Sequence, residues 1–159
     1  MSLVHALSKR RVPRAPIAVP AEVSVGLARY PATVSQIGEG GLRLESEREL
    51  PLPRARLVVA FELPGFGAQR VLSEVCWQKA SVCGCRFRGL PPATQVSITS
   101  YVKKMKQTCT QLQFALALQK PRADWEALAR EVGIAHLTSA PELKRFVERA
   151  MEQLQSASR

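Results

Sequence analysis

The sequence predicts an antiparallel β-domain, a barrel or a sandwich, followed by a helical C-terminal third. Three observations predict it. Apolar residues alternate or run in short β-branched stretches from Ile17 to Leu90, turn-forming residues interrupt them at regular intervals, and beyond Pro91-Pro92 the apolar period becomes that of a helix. A chain of 159 residues, 46% of them hydrophobic, has material for one ordinary core and a modest appendage, not for two full domains.

Breaks at Pro31, Gly38 to Gly41, Pro51 to Pro53 and Pro64 to Gly67 divide the β-region into six short strands. They are predicted at Ala18 to Leu27, Ala32 to Ile37, Gly41 to Leu44, Ala55 to Glu62, Gln69 to Lys79 and Ser81 to Arg88. Pro64-Gly65-Phe66-Gly67 has the composition of a hairpin turn, since proline presets one φ and glycine tolerates the left-handed region. Strands spaced this evenly, with no long helix between them, argue against a parallel sheet.

Past the prolines, Ile98, Val102, Met105, Cys109, Leu112 and Leu116 recur at spacings of four and three, the seam of an amphipathic helix. Its length of about 25 residues exceeds what a small barrel covers. The far end therefore packs either on the terminal helices or, as a short coiled coil, on a second subunit, which makes residues 98–116 a candidate homodimer seam. Lys120-Pro121 ends this helix. Asp124 is suited to cap a second helix over Trp125 to Val132, with Gly133 as its stop. Ser139-Ala140-Pro141-Glu142 has the form of a capping box, opening a last helix whose buried stripe is Leu143, Phe146, Val147, Ala150, Met151 and Leu154. The expected organisation is an N-terminal arm at 1–16, a β-domain at 17–92 and a helical extension at 93–159.

A net charge of +10 points to an anionic partner. Lys9, Arg10, Arg11 and Arg14 cluster just ahead of the first strand, where a movable basic arm is suited to clamp phosphates. Nucleic acid is disfavoured: Glu22, Glu45, Glu47, Glu49 and Glu62 scatter through the β-region, and no stripe of aromatic and basic residues is apparent. The cysteines, Cys76, Cys83, Cys85 and Cys109, lack the paired C-x2-C knuckles of a zinc site and read as small buried apolar side chains. His5 and His136 have no local ligand partner and read as surface residues. No nucleophile is paired with a histidine, and Gly38-Glu39-Gly40-Gly41 opens a strand, not the helix that a phosphate-binding loop requires. The expectation is a non-enzymatic protein without metal or cofactor. The apolar patch from Leu3 to Leu7 is too short for a secretory or membrane-spanning segment, which implies a cytoplasmic protein.

Three segments carry a more specific signal. Arg10-Arg11-Val12-Pro13-Arg14 has the form R-x-x-x-R and leads into the first strand. Gln36-Ile37-Gly38-Glu39-Gly40-Gly41, followed by Leu42-Arg43-Leu44, has the spacing of [D/N]-x-S-x-x-G and an apolar-basic-apolar strand. Val75-Cys76-Trp77 and Gly84-Cys85-Arg86-Phe87 match V-x-W and G-x-x-F. In this order, over about residues 9 to 100, they resemble the PilZ family, whose barrels bind the bacterial second messenger cyclic di-GMP.

The resemblance implies a six-stranded antiparallel β-barrel and a signalling role of the motility or biofilm type. It also implies a ligand site of Arg10, Arg14, Gln36, Gly38 and Gly41, supported by Lys9, Arg11, Arg43 and Trp77. Arginine suits the site because a guanidinium forks onto phosphate, donates in pairs to guanine and stacks on a purine face. Trp77 and Phe87 are expected in the core or at the barrel mouth. Lys9, just before R-x-x-x-R, is at a position tied in the family to whether one or two nucleotides bind.

Two departures from the family pattern bear on binding. Gln36 keeps an amide on an arm one methylene longer than Asp or Asn, and Gly38 keeps only backbone where the family has serine. One lost hydrogen bond to a charged group weakens affinity about ten- to a hundredfold. Two readings follow: a cyclic di-GMP receptor that signals to a protein partner, or a degenerate PilZ adaptor that acts by protein contact alone.

Overall fold

In the computed structural model the described residues are 13–48 and 53–155. His5, Lys9, Arg10, Arg11 and most of the predicted break at Pro51 to Pro53 lie outside them. Among the described residues there are six strands, β1 (Arg14–Val25), β2 (Ala28–Gly38), β3 (Gly41–Glu45), β4 (Arg56–Leu63), β5 (Gly67–Lys79) and β6 (Val82–Phe87). Three helices follow, α1 (Pro92–Ala117), α2 (Arg122–Glu131) and α3 (Ala140–Gln155).

The strands close into an antiparallel barrel in the order β1-β2-β3-β6-β5-β4, with β1 completing the circle against β4 from Ala21↔Phe61 to Ser24↔Val58. Alternation decides which face is inside. In β4, Leu57, Val59, Phe61 and Leu63 are buried while Arg56 and Glu62 are exposed, the period-2 pattern of a strand with one dry face. Val23, Val34, Leu44, Val71, Val75 and Cys83 join the same core. Eight strands give a barrel interior just wide enough for its own side chains. With six, the interior is side-chain core, and polar chemistry belongs on the outer wall.

Register shifts between Pro16 and Val19, Val34 and Gln36, and Val75 and Trp77 supply the sharp bends that so few strands need to close. The turn from β4 to β5 is the predicted hairpin: the Phe66 amide donates to the Leu63 carbonyl at 2.8 Å, with Gly65 and Gly67 at φ of 82° and 85°. At Gly41 strands β3 and β6 come so close that a Cβ would lie 2.0 Å from the Cys85 carbonyl oxygen.

Some predicted boundaries are corrected. β1 begins at Arg14 and β2 at Ala28, because their ladder runs from Arg14↔Gly38 to Val25↔Ala28. Pro31, read as a break, lies within β2 opposite Glu22, beyond the stretch paired with β3, where β2 has a neighbour on one side only. Cys83, Cys85 and Cys109 are buried as predicted, but Cys76 is exposed on the outward side of β5. His136 is exposed.

Helix α1 buries Ile98, Tyr101, Val102, Met105, Cys109 and Leu112 against α2, α3 and the strands β1 and β2. The seam considered for a second subunit is thus covered by the chain's own elements. Tyr101 ties three parts together: its hydroxyl donates to the Val132 carbonyl at 2.7 Å, and its ring meets Phe66 of the β4–β5 turn edge-on at 6.4 Å. Gly133, at φ 80°, ends the second helix where a Cβ would strike Pro64 of that same turn at 2.5 Å. Asp124 is not the cap of α2. Pro121 holds that position, and Asp124 falls in the first turn, where its charge faces the helix dipole. Ser139 does cap α3, its Oγ accepting from the Glu142 amide at 3.3 Å. No helix among the described residues is long and apolar enough to cross a membrane.

These contacts make neighbouring glycines unequal. Gly41→Ala is expected to lower unfolding stability by about 3 kcal/mol, because backbone must move to admit the methyl. Gly40→Ala, with open space around its Cβ, should change stability by no more than about 0.5 kcal/mol. Urea denaturation of the two variants side by side checks the contrast.

Candidate functional site

The outer wall at the root of the N-terminal arm is built by β1, β2 and the end of α3. Arg14, the first residue of β1, lies opposite Gly38, the last of β2. The bulge at Ser35 changes the alternation of β2. Ile37 pairs with Leu42 in the core, while Ser35 and Gln36 both belong to the outer side opposite Arg43. Arg43 donates through Nε to Ser35 Oγ at 2.9 Å, which fixes its guanidinium against the wall.

Gln36 is the hub. Its Oε1 accepts from Arg14 Nη1 at 3.4 Å, and its Nε2 donates to Oε1 of Gln153 at 3.0 Å. Gln153 comes from the last turn of α3, 117 residues along the chain. With these two groups over it, Gln36 is only 4% exposed. A buried amide needs its hydrogen-bonding capacity met, and here both ends of the amide are engaged.

Gly38 has a structural role of its own. A Cβ there would lie 2.9 Å from the Pro13 carbonyl oxygen and 3.0 Å from Arg14 Cγ, so the missing side chain is what lets the arm's root lie against β2. The β2–β3 turn is held on both sides. Glu39 accepts from Thr99 Oγ1 of α1 at 2.7 Å, and the Gly40 carbonyl accepts from the Phe87 amide at 3.0 Å.

A cross-strand row extends the site. Gln36 pairs with Arg43, Arg43 with Gly84, and Gly84 with Trp77, so that one line crosses β2, β3, β6 and β5. Gly84 has no room for a side chain because the Trp77 indole lies over it, its Nε1 2.1 Å from the position of a Cβ. Of the two places expected for Trp77, the core or the barrel mouth, the core is excluded. Trp77 lies on the outer wall, 45% exposed, because the bulge before it turns it outward. Phe87 is half-buried against the core.

Cations near the turn are partly committed. Arg86, opposite Gly41, pairs with Glu74 at 3.0 Å and Arg88 joins at 3.5 Å; the Arg86 hydrogen bond holds the Glu74 carboxyl below its ordinary range. Inside the barrel the Sγ atoms of Cys83 and Cys85 lie 3.7 Å apart, and contact with Cys83 together with burial pushes the Cys85 thiol up. Among the described residues no three His, Cys, Asp or Glu side chains come together to hold a metal ion.

Of the residues singled out from sequence, Arg14, Gln36, Gly38 and Gly41 surround one turn, and Arg43 and Trp77 share the row beside it. Lys9, Arg10 and Arg11 lie outside the described residues. Gln153 was missed. It borders the apolar stripe of α3, and nothing in its local sequence separates it from any other surface glutamine.

The fold is a small closed barrel with polar and cationic side chains gathered on its outer wall where β1 begins. The PilZ domain model matches residues 8–104, more than half of the chain, and the chain belongs to the PilZ family. The PilZ domain of YcgR from Escherichia coli, solved with c-di-GMP, superimposes with a TM-score of 0.55 at 10% identity, over 65% of this chain and 95% of that one. The PilZ domain of CeSA from a cellulose-synthesizing bacterium gives 0.44 at 15% identity, over 54% of this chain and 89% of that one. PlzA of Borreliella burgdorferi, solved in complex with c-di-GMP, gives 0.47 at 14% identity, over 60% of this chain and 42% of that one. At 10% identity the likeness to the YcgR domain is one of fold. No curated protein matches the sequence.

Because the Pro13 carbonyl occupies the place of a side chain at position 38, restoring the family's serine there does not simply restore a ligand group. Gly38→Ser is expected to lower stability by about 1–2 kcal/mol as the arm's root is pushed off β2. A thermal melt showing an unchanged or raised midpoint would contradict this.

Proposed function

We propose that this chain is a cyclic di-GMP receptor that passes the state of its site to a protein partner, acting in the cytoplasm of a bacterium in signalling of the motility or biofilm type. The observation that carries the reading is the meeting of Arg14 with Gln36 at 3.4 Å, at one end of the row that continues through Arg43 to Trp77. Cyclic di-GMP offers two phosphates, two guanine edges and two flat purine faces. Arginines answer the phosphates, an amide answers a guanine edge, and an exposed indole answers a face. The net charge of +10 raises the rate of encounter with such an anion. The YcgR domain, similar in fold, was solved with this ligand.

Calorimetric titration with cyclic di-GMP at about 0.15 M salt, where exposed charges are largely screened, tests the reading. Saturable binding is expected, weakened at least about tenfold in Arg14→Ala through loss of a charged contact. Trp77→Ala should weaken it about fivefold or more through lost stacking. Binding indifferent to Arg14→Ala would remove the site assignment.

A second reading, the adaptor that binds no nucleotide, is favoured by the near-complete burial of Gln36 and by the glycine at position 38. It requires the same titration to give no heat and a second method to give no binding. In that case the exposed apolar pair of Phe114 in the last turn of α1 and Leu118 just past its end is the first surface to test for a protein contact.

A further inference from the structure

Gln36 is the one residue of the family motif's polar pair that still carries hydrogen-bonding side-chain atoms, yet a ligand has no path to them. Only 4% of Gln36 is exposed, and the groups bonded to its amide are Arg14 and Gln153. These two covers differ in kind. Arg14 is itself a group that would bind an anionic ligand, so it stays beside the site when the ligand arrives. Gln153 belongs to a different part of the chain, and its hydrogen bond at 3.0 Å occupies the Nε2 donor that a guanine acceptor would need.

What has to move at the end of α3 is the Gln153 side chain. Leu143, Phe146, Val147, Ala150 and, within the last turn, Leu154 anchor the helix in the core, and α3 packs on both α1 and β1. The last turn still has the weakness of a helix end. It carries no basic side chain to complement the negative end of the helix dipole, and terminal turns open at lower free energy than the core they extend from.

Resting on the receptor reading above, we infer that the C-terminal turn of α3 is an intramolecular competitor for the ligand edge at Gln36, so that a guanine-bearing dinucleotide binds only as Gln153 releases it. Ligand and helix end then exclude each other on one amide. By linkage, whatever loosens the turn tightens the ligand, and the ligand loosens the turn to the same degree.

The test uses the full chain, wild type and Gln153→Ala, with cyclic di-GMP as the probe. Removing the competing hydrogen bond is expected to tighten binding roughly two- to tenfold. Backbone amides of residues 150–155 should exchange faster with deuterium in the ligand-bound wild type than in the free protein. If both proteins bind with equal affinity and exchange in α3 is unchanged or slowed, the competition is wrong while the receptor reading stands. Weaker binding by Gln153→Ala would also overturn it and make Gln153 a ligand contact. If neither protein binds the dinucleotide, the receptor reading falls and the competition falls with it.

Discussion

Closure of the barrel through β1 is the constraint on which the rest depends. This strand pairs along its length with β2 and, near its far end, with β4, which closes the strand order into a circle. Six strands make a circle too narrow to hold anything but side chains, so branched aliphatics and two thiols fill it. A ligand-binding function has then to be built on the outside, and β1 also decides where. Its first residue, Arg14, is delivered to the outer wall beside the β2–β3 turn, at the point where the N-terminal arm enters the fold.

The outer wall owes its shape to irregularities. The bulge at Ser35 brings Gln36 to the outer side while Ile37 stays in the core, and the bulge before Trp77 turns an indole outward that alternation alone would have left ambiguous. Gly84 then provides the flat surface on which that indole lies. Gly41, which stands at the glycine of the family motif, is explained without any ligand: the Cys85 carbonyl passes where its side chain would be. Gly38 is likewise accounted for by the Pro13 carbonyl. Two glycines that read as remnants of a binding motif are also requirements of close backbone approach.

The helices serve the barrel. The seam of α1, which has the spacing of a coiled coil, is consumed by α2, α3 and the barrel, and Tyr101 locks α1 to the end of α2 and to the β4–β5 turn. Because α3 is held by α1 on one side and by β1 on the other, its final turn lands on Gln36. The same docking that completes the core therefore decides how accessible the site is.

The sequence by itself determined the class of fold, the number of strands, the hairpin at Pro64 to Gly67, the stop at Gly133 and the cap at Ser139. It also determined the charge and marked Gln36, Gly38 and Gly41 as the residues of the β2–β3 turn. All of these rest on local signals: alternation, helical period, and residues that suit a particular φ or a helix end. Tertiary structure alone decided that Pro31 lies inside a strand, that Trp77 faces outward, that the α1 seam is satisfied within the chain and that Gln153 covers Gln36. Each of these depends on strand register or on contacts between residues far apart in sequence, and neither is written in the local pattern, because a one-residue shift of register exchanges the two faces of a strand while leaving its sequence unchanged.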